Sequence, residues 1–464
     1  MSGAVTDPLQ RTGTGGPRLG PVAAALVLGT FASTIANTLV NVPLAAMTAD
    51  LGAPLTSGTL IVVAFNLTCA VVLPFAGWLG GRLGRRRVFL LSMLGVTVGA
   101  IGAACAPTLP LLIAFRAVQG MSGALVLPTV LALLTDVAGP ERRGRAVSWW
   151  AAANGAGQAA GPTVGGLLTD AFGWRSVFVT IVPFALAAFA GAWRWLPHTP
   201  ARPARLDVAG ALSLAAAVAA LLVGASAVAP AGLGSPLVWG GFGLATAALV
   251  VFVLVERRRA DPFVPPRLLV APRFARSAVA AMAQMFCLTA TLLTVPLFLT
   301  GTAGAPARTA GLLVVALPLV MTLLAPVSGV LTERWSPRWA LRGGLLVLGA
   351  GELALAAVLA LGTGGVGALA GLVAAVAVVG AGMAFTQTPA AAGATRSAQE
   401  ADSGAGLGVF NSLRFVGAAL AGAVVALVLG DAPAGAGPFV LMALVCAAAA
   451  ALALAVTFAG RSPR

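Results

Sequence analysis

The chain has 464 residues, of which 59% are hydrophobic and only 9% charged. A soluble globular chain carries about 25% charged residues, so a water-facing surface of this size is excluded, and with it a soluble enzyme, a disordered chain and a coiled coil. The mean hydropathy of +0.99 agrees, and at roughly 20 apolar residues per crossing the chain has room for a dozen or more membrane spans.

The 28 basic and 13 acidic residues give a net charge of +15. Nucleic acid is not the partner this implies, because the basic residues are widely separated by apolar runs. All 28 are Arg, and Tyr is absent too. With the Ala and Gly excess, this reads as the coding bias of a high-GC bacterium. Cys69, Cys105, Cys287 and Cys446 lie in apolar runs, without metal-ligand spacing or a disulfide framework. Neither a metal nor a cofactor is expected.

Residues 1–20, rich in Gly, Thr and Pro, read as a disordered cytoplasmic tail with no cleavable signal. Charge-free apolar stretches then mark the spans. Span 1 is 21–46 and span 2 is 57–80. Spans 3 and 4 are 88–106 and 109–135, parted at Ala106-Pro107. Spans 5 and 6 are 146–169 and 176–196. The uncharged run 208–255 is too long for one helix, and Pro230, Gly232, Gly234 and Pro236 break it into spans 7 and 8. Spans 9 and 10 are 277–300 and 309–331. Spans 11 and 12 are 343–361 and 366–388. Spans 13 and 14 are 405–429 and 438–459. The fold expected is an all-α polytopic membrane protein of 14 transmembrane helices, with both termini on one side.

Arginine placement sets the orientation. Arg175 and Arg308 fall in outer loops, Arg116 and Arg414 lie within spans, and the remaining 24 of 28 fall inside if the N-terminus is inside. That asymmetry is a strong positive-inside signal, and it predicts a multi-pass protein of the cell inner (plasma) membrane with both termini in the cytoplasm. The arginines face anionic lipid heads, so the lipid bilayer is the first partner read from the sequence.

An internal repeat accompanies this pattern. Gly77-Trp78-Leu79-Gly80-Gly81-Arg82 ends span 2, and Gly329-Val330-Leu331-Thr332-Glu333-Arg334 ends span 10. Both read G-x-L-x-x-R at the second inner boundary of a six-span block. The domain reading is therefore an N-terminal six-helix bundle over 21–196, two inserted helices and a cytoplasmic loop over 197–275, a C-terminal six-helix bundle over 276–459, and a tail over 460–464. Repeats of this kind are typical of secondary transporters, whose site lies between the halves near the midplane.

Four motifs carry a family resemblance over essentially the whole chain. They are Gly77-x-Leu79-x-x-Arg82-x-Gly84-Arg85-Arg86 after span 2, Arg116-x-x-Gln119-Gly120 in span 4, Gly157-x-x-x-Gly161-Pro162-x-x-Gly165-Gly166 in span 5, and Asp261-Pro262-Phe263-Val264-Pro265-Pro266-Arg267-Leu268 after span 8. With them the chain resembles the major facilitator superfamily, specifically its 14-span drug:proton antiporters. The span 5 motif is the most specific, being typical of exporters.

The resemblance implies a secondary exporter of apolar drugs, antibiotics or secondary metabolites, working by alternating access. It implies an inner gate at the loop 2–3 motif, with Arg85 facing Asp136. The family's usual Asp of that motif is Gly81 here, so Glu333 of the second repeat is the surviving acid. It also implies that spans 1, 4, 5, 9 and 13 border the central cavity. The residues allow a blander reading as well: topology arginines with Asp136 as a solvated helix end.

Arg116 must face protein or a water-filled cavity, since an intramembrane Arg costs about 2.5–3.5 kcal/mol on insertion scales. It is read either as a coupling or substrate-orienting group, or as a tie within the N-terminal bundle. Gly157, Gly161 and Gly165 share one helix face, where small residues admit a close neighbour, and Pro162 bends the helix. Polar residues at helical spacing are the cavity candidates: Asn37 and Asn41, Gln119, Asn154 and Gln158, Gln284, Gln387, Asn411 and Arg414. Each alone is equally an interhelical hydrogen bond.

Proton antiport needs a titrating group in the path. Span 1 offers Phe31-Ala32-Ser33-Thr34-Ile35 with no acid, and Glu352 in span 11 is the only mid-span carboxylate. It is the candidate proton carrier, although span 11 corresponds to a peripheral helix in the resembled family. His198 reads as solvated. Two cavity-side arginines and no span 1 acid predict a neutral or anionic apolar small-molecule substrate, with protons as the coupling partner and a monomeric carrier. The competing reading is a proton-independent or symport carrier for a small metabolite. An enzyme is not expected, because no nucleophile–base pair lies within the membrane.

Overall fold

A computed structural model of the chain describes residues 19–199, 201, 208–259, 264–334, 336–362, 366–400, 406–431 and 435–458. The predicted N-terminal tail up to residue 18, the C-terminal tail, and Asp261, Pro262 and Phe263 of the linker motif lie outside them. So does the side chain of Glu333, and so do those of 139–148.

The described residues are helical throughout. The first helices are α1 (Leu19–Thr38), α2 (Leu44–Asp50), α3 (Leu55–Gly58), α4 (Leu60–Val72), α5 (Ala76–Leu83) and α6 (Arg85–Ala104). They are followed by α7 (Leu109–Phe172), α8 (Arg175–Trp195), α9 (Val208–Ala231), α10 (Pro236–Arg258), α11 (Pro266–Leu269) and α12 (Pro272–Leu297). The chain ends with α13 (Ala307–Val314), α14 (Ala316–Arg334), α15 (Pro337–Leu361), α16 (Val366–Glu400), α17 (Gly406–Leu429) and α18 (Gly437–Val456). Among the described residues, 13 helical segments have the length and apolarity of a membrane span.

The predicted span outside this set, span 5 at 146–169, is the second half of α7, where Asn154, Gln158 and five glycines dilute the hydropathy. At 1.5 Å per residue, a straight helix of 64 residues would reach about 96 Å, roughly three times the hydrocarbon core. The packing shows the reversal. Arg116 reaches Ala36 and Gly123 lies against Ser33, so the first half runs antiparallel to α1. Gly157 lies against Thr34, Gly161 against Thr38 and Gly165 against Leu39, so the second half runs parallel to it. The helical run therefore carries both spans 4 and 5.

The expected boundaries differ most at spans 1 and 12. Span 1 was expected as one helix over 21–46, but α1 stops at Thr38 and α2 restarts at Leu44 behind Pro43. Proline disfavours helical geometry in the residue before it, and Asn41 falls in the resulting break. Span 12 was expected to end at 388. Instead α16 continues to Glu400 through Pro389.

Packing sorts the helices into two groups. In the first, α1 and α6 each pack on α7 and α8, and α4 packs on α7. In the second, α12 packs on α16, α17 and α18, α15 on α16 and α18, and α14 on α16. The groups meet along two lines, α4 with α17 and α7 with α13 and α14. Helix α9 lies over the first line, touching both α4 and α17, with α10 outside it. The exposed Leu244, Leu249, Val250 and Val251 on α10 then face lipid.

Candidate functional site

The second half of α7 is the element on which both groups close. A Cβ on Gly161 would sit 1.9 Å from Thr38 Oγ1, and one on Gly165 2.4 Å from Leu39 O. Only glycine permits α1 to come this near. Thr38 Oγ1 donates to Gly157 O across the contact (3.2 Å), and Thr34 Oγ1 to Asn154 Oδ1 (3.0 Å). On the other side, Gly166 presses on the Ala307 carbonyl, and Gly311 presses on the carbonyl of Pro162. One helix thus touches backbone in both groups, and the small residues that sequence spacing places on its faces are what allow it.

At the face poor in arginine, two carboxylates bridge the groups. Asp431 Oδ1, after α17, accepts the Thr56 N–H (3.1 Å) and O–H (2.5 Å). Asp170 Oδ2, near the end of α7, accepts the Arg308 N–H at 2.9 Å. The two Thr56 bonds, the hydroxyl one first, hold the Asp431 carboxyl below its ordinary value. Asp50 is held low in the same way, chiefly by Arg175 (2.6 Å) and then by the Trp174 indole N–H (3.0 Å). Sequence reasoning missed all of these, since lone outer acids look like solvated loop residues.

At the arginine-rich face, Arg85 and Asp136 form an ion pair, each about half exposed. The pair joins α6 to α7, both in the first group. Gly84 makes the turn before it at φ +83°, and a Cβ there would meet the Thr199 carbonyl at 2.4 Å. Arg82 lies over Trp78, while Gly77 has open space around it. His198, expected to be solvated, is exposed but also meets Arg86, with Nη1 and Nε2 2.7 Å apart.

The cavity candidates divide. Asn37, Asn154, Gln158, Gln387, Asn411 and Arg414 are only partly buried. Arg414 Nη1 donates to Asn411 Oδ1 (3.2 Å), Nη2 lies 3.6 Å from Met285 Sδ, and Nε has no partner. Asn41, Gln119 and Gln284 are buried, and Gln284 has both side-chain amide atoms unpartnered. The i, i+4 pairing of Asn37 with Asn41 on one helix fails because α1 ends between them. Asn66 on α4 was missed. It is fully buried with Oδ1 unpartnered, and being the only Asn of its span was the available signal.

Arg116 is also sealed. Nη1 donates to Ala36 O (2.8 Å) and Gln119 Oε1 (2.9 Å), Nε donates to Ile61 O (3.2 Å), and the guanidinium lies over Phe65. These contacts link α1, α4 and α7, as the second of the two sequence readings expects, while Nη2 is left without a partner.

Glu352 is fully buried. Its Oε1 accepts the Thr291 O–H (3.1 Å), and Oε2 is unpartnered. Cys287 of α12 and Cys446 of α18 stand beside it, with donor atoms within 4.8 Å of one another. Two thiols and a carboxylate suit a soft or borderline cation. The linear spacing of these residues conceals the set, because three distant helices supply it.

The profile described as Major Facilitator Superfamily matches residues 26–271 and 277–464. The methylenomycin A resistance protein of Streptomyces coelicolor is 32% identical over 342 residues, 72% of this chain and 71% of the relative. The tetracenomycin C resistance and export protein of Streptomyces glaucescens is 30% identical, over 71% of this chain and 61% of the relative. A multidrug resistance protein B homolog of Mycobacterium tuberculosis is 29% identical, over 71% and 62%. Among solved structures, the xylose transporter XylE from E. coli, in a partially occluded inward open conformation, shares the fold with a TM-score of 0.66 and 13% identity, covering 96% of this chain and 99% of that one.

Proposed function

The chain belongs to the Major Facilitator Superfamily, and from that premise we propose that it is a secondary active exporter of apolar antibiotics, drugs or secondary metabolites. The observation that carries the proposal is the double contact of α7. Its glycines meet α1 on one side and α13 on the other through backbone atoms. Such a helix serves as a pivot on which two bundles, residues 21–196 and 276–459, rock about a midplane site. The resistance and export functions named for the relatives supply the substrate class. We place both termini in the cytoplasm, with the arginine-rich face inside, and take the carrier to be a monomer doing no covalent chemistry.

Arg414 is the substrate-facing charge in this reading. A guanidinium with an unpartnered Nε, bordered by Asn411 and Met285, suits a neutral or anionic apolar compound. Glu352 is assigned the proton. Helix α12 connects the two sites, since Met285 touches Arg414 and Thr291 bonds Glu352. A change of charge at Glu352 is thereby felt by the helix that packs on α17, which in turn meets α4. The sealed position of Glu352 favours one alternative, a carrier without proton coupling.

Transport in proteoliposomes decides between them. An imposed pH gradient should drive uptake of an apolar carboxylate substrate by the wild type, and Glu352→Gln should transport it without responding to the gradient. If the gradient changes nothing in the wild type, antiport fails. If Glu352→Gln keeps full coupling, the acid is elsewhere. Preferential export of quaternary ammonium dyes would overturn the substrate assignment.

A further inference from the structure

Between α12, α15 and α18, the core of the second group holds a polar cluster that the export reading uses only in part. Cys287, Glu352 and Cys446 are buried, and the two Sγ atoms and a carboxylate oxygen lie within 4.8 Å of one another. The Cys287 S–H donates to Cys446 O (3.5 Å), which sets that thiol against α18. Glu352 Oε1 accepts the Thr291 O–H, and Oε2 has no partner. Gln284 and Thr291 flank Cys287 by three and four positions on α12, so the three share a face. Gln284 is buried too, with both amide atoms unpartnered. Polar groups in a sealed core are otherwise paired, so these orphaned atoms mark a missing ligand.

The surroundings limit that ligand to an ion. Leu348 and Leu355, one turn either side of Glu352, are buried in the same core, as are Met442 and Ala450 either side of Cys446. A zinc-type ion holds thiolate sulfur at about 2.3 Å and carboxylate oxygen at about 2.0–2.2 Å, so two of its ligand atoms stand at most about 4.6 Å apart. Small side-chain rotations close the cluster to that span. Two thiolates cancel the charge of a divalent cation, which removes most of the cost of burying it. The carboxylate oxygen is a harder donor and favours a borderline divalent ion over Cu(I). The Thr291 O–H holds the carboxylate as the outer partners of metal ligands do.

We propose that Cys287, Cys446 and Glu352 form a binding site for one divalent cation of the Zn(II) type, with Thr291 orienting the carboxylate. The ion pins α12, α15 and α18 together within the second group. An ordinary apolar core explains two buried cysteines, but not a carboxylate oxygen and an amide left unpaired near them. The cation and the proton assigned to Glu352 are alternative occupants of one carboxylate. Metal binding is read directly, so its failure is distinct from a failure of the pH-gradient response.

The test uses Co(II) as a spectroscopic stand-in for Zn(II), in the full chain carrying Cys69→Ala and Cys105→Ala, so that Cys287 and Cys446 are the remaining thiols. The protein is purified from cells grown with added Co(II), so that the ion is present while the buried site forms. About one Co(II) should be retained per chain, with the thiolate-to-cobalt charge-transfer absorption of sulfur ligation. Cys287→Ala and Cys446→Ala should each lose the ion, and thermal unfolding of each variant separates that loss from misfolding. Glu352→Gln and Thr291→Val leave both thiols in place. They should keep the absorption but surrender Co(II) at about tenfold lower chelator concentration, the scale seen when a metal site loses a supporting group. Absence of the absorption before any substitution at the cluster overturns the proposal, as does a disulfide between Cys287 and Cys446 in place of the ion. So does an absorption that survives Cys446→Ala, or retention unchanged in both Glu352→Gln and Thr291→Val.

Discussion

Arg116 and Arg414 are the two guanidiniums within predicted spans, and the molecule treats them oppositely. Arg116 is enclosed: Nε and Nη1 reach two main-chain carbonyls and Gln119, Phe65 lies beneath, and Nη2 alone has no partner. Arg414 is only partly enclosed and meets α17 and α12 of the second group, with one side-chain oxygen, one thioether sulfur and an unpartnered Nε. A guanidinium has five N–H donors, and its role follows from what they meet. We propose Arg116, held mostly by main chain, as a staple among helices, and Arg414, with no main-chain partner among the described residues, as the group that meets substrate.

The comparison breaks most sharply at Arg116. Hydrogen bonds to charged groups are worth about 1.5–3 kcal/mol each, and Arg116 makes three that tie α1, α4 and α7. Arg116→Ala should therefore lose about 3 kcal/mol or more of stability, read as a large drop in the thermal midpoint of the purified protein. Lys has too few donors in the right fork, so Arg116→Lys should recover only part of it. A variant that unfolds like the wild type yet no longer transports would make Arg116 a functional group and erase the distinction.

Arg414 sharpens the comparison from the other side. Arg414→Ala should keep the wild-type thermal midpoint and lose about tenfold in transport of an anionic substrate, equivalent to about 1.4 kcal/mol. Neutral substrates should be little affected, and Arg414→Lys should retain most of the anion transport. Equal losses for neutral and anionic compounds would remove Arg414 from recognition.

These two residues also mark how far the sequence alone reaches. Apolar runs and arginine asymmetry disclose the helices, because lipid leaves the chain few alternatives. The glycine spacing of span 5 discloses a close contact, since i, i+4, i+8 positions share a face. Which partner fills each contact is not legible. Arg116 and Arg414 look alike in the sequence, and only tertiary packing decides that one is sealed. Glu352 is legible as the lone mid-span acid, while its neighbours Thr291, Cys287 and Cys446 come from helices 61 and 94 residues away or nearly so in the chain and read as ordinary core. The break after Thr38 escapes hydropathy altogether, because Pro43 and Asn41 interrupt helical geometry without interrupting apolarity.

The smallest expected effect lies at the opposite end of the seam. Asp431 bridges the bundles through Thr56, and those two bonds hold its carboxyl below the ordinary value of 3.8. A group whose folded value is depressed stabilises the contact fully above its ordinary value. That stabilisation is lost as pH falls through the lowered folded value. Acidification to below about pH 4 on that side should therefore loosen the contact, whereas neutral and alkaline pH should not. A cysteine placed at Val63, which packs beneath the bridge against Gly422, reports this in a background where the exposed Cys105 is replaced by Ser. Its labelling by a membrane-impermeant thiol reagent, corrected for the reagent's own pH dependence with a free thiol, should rise modestly in acid. Asp431→Asn should label at a raised rate with no acid-dependent increase. A wild-type rate that stays flat down to pH 3 would show that the bridge does not hold the seam closed, leaving closure on that face to the Asp170 bond with Arg308 and the glycine contacts of α7 with α13.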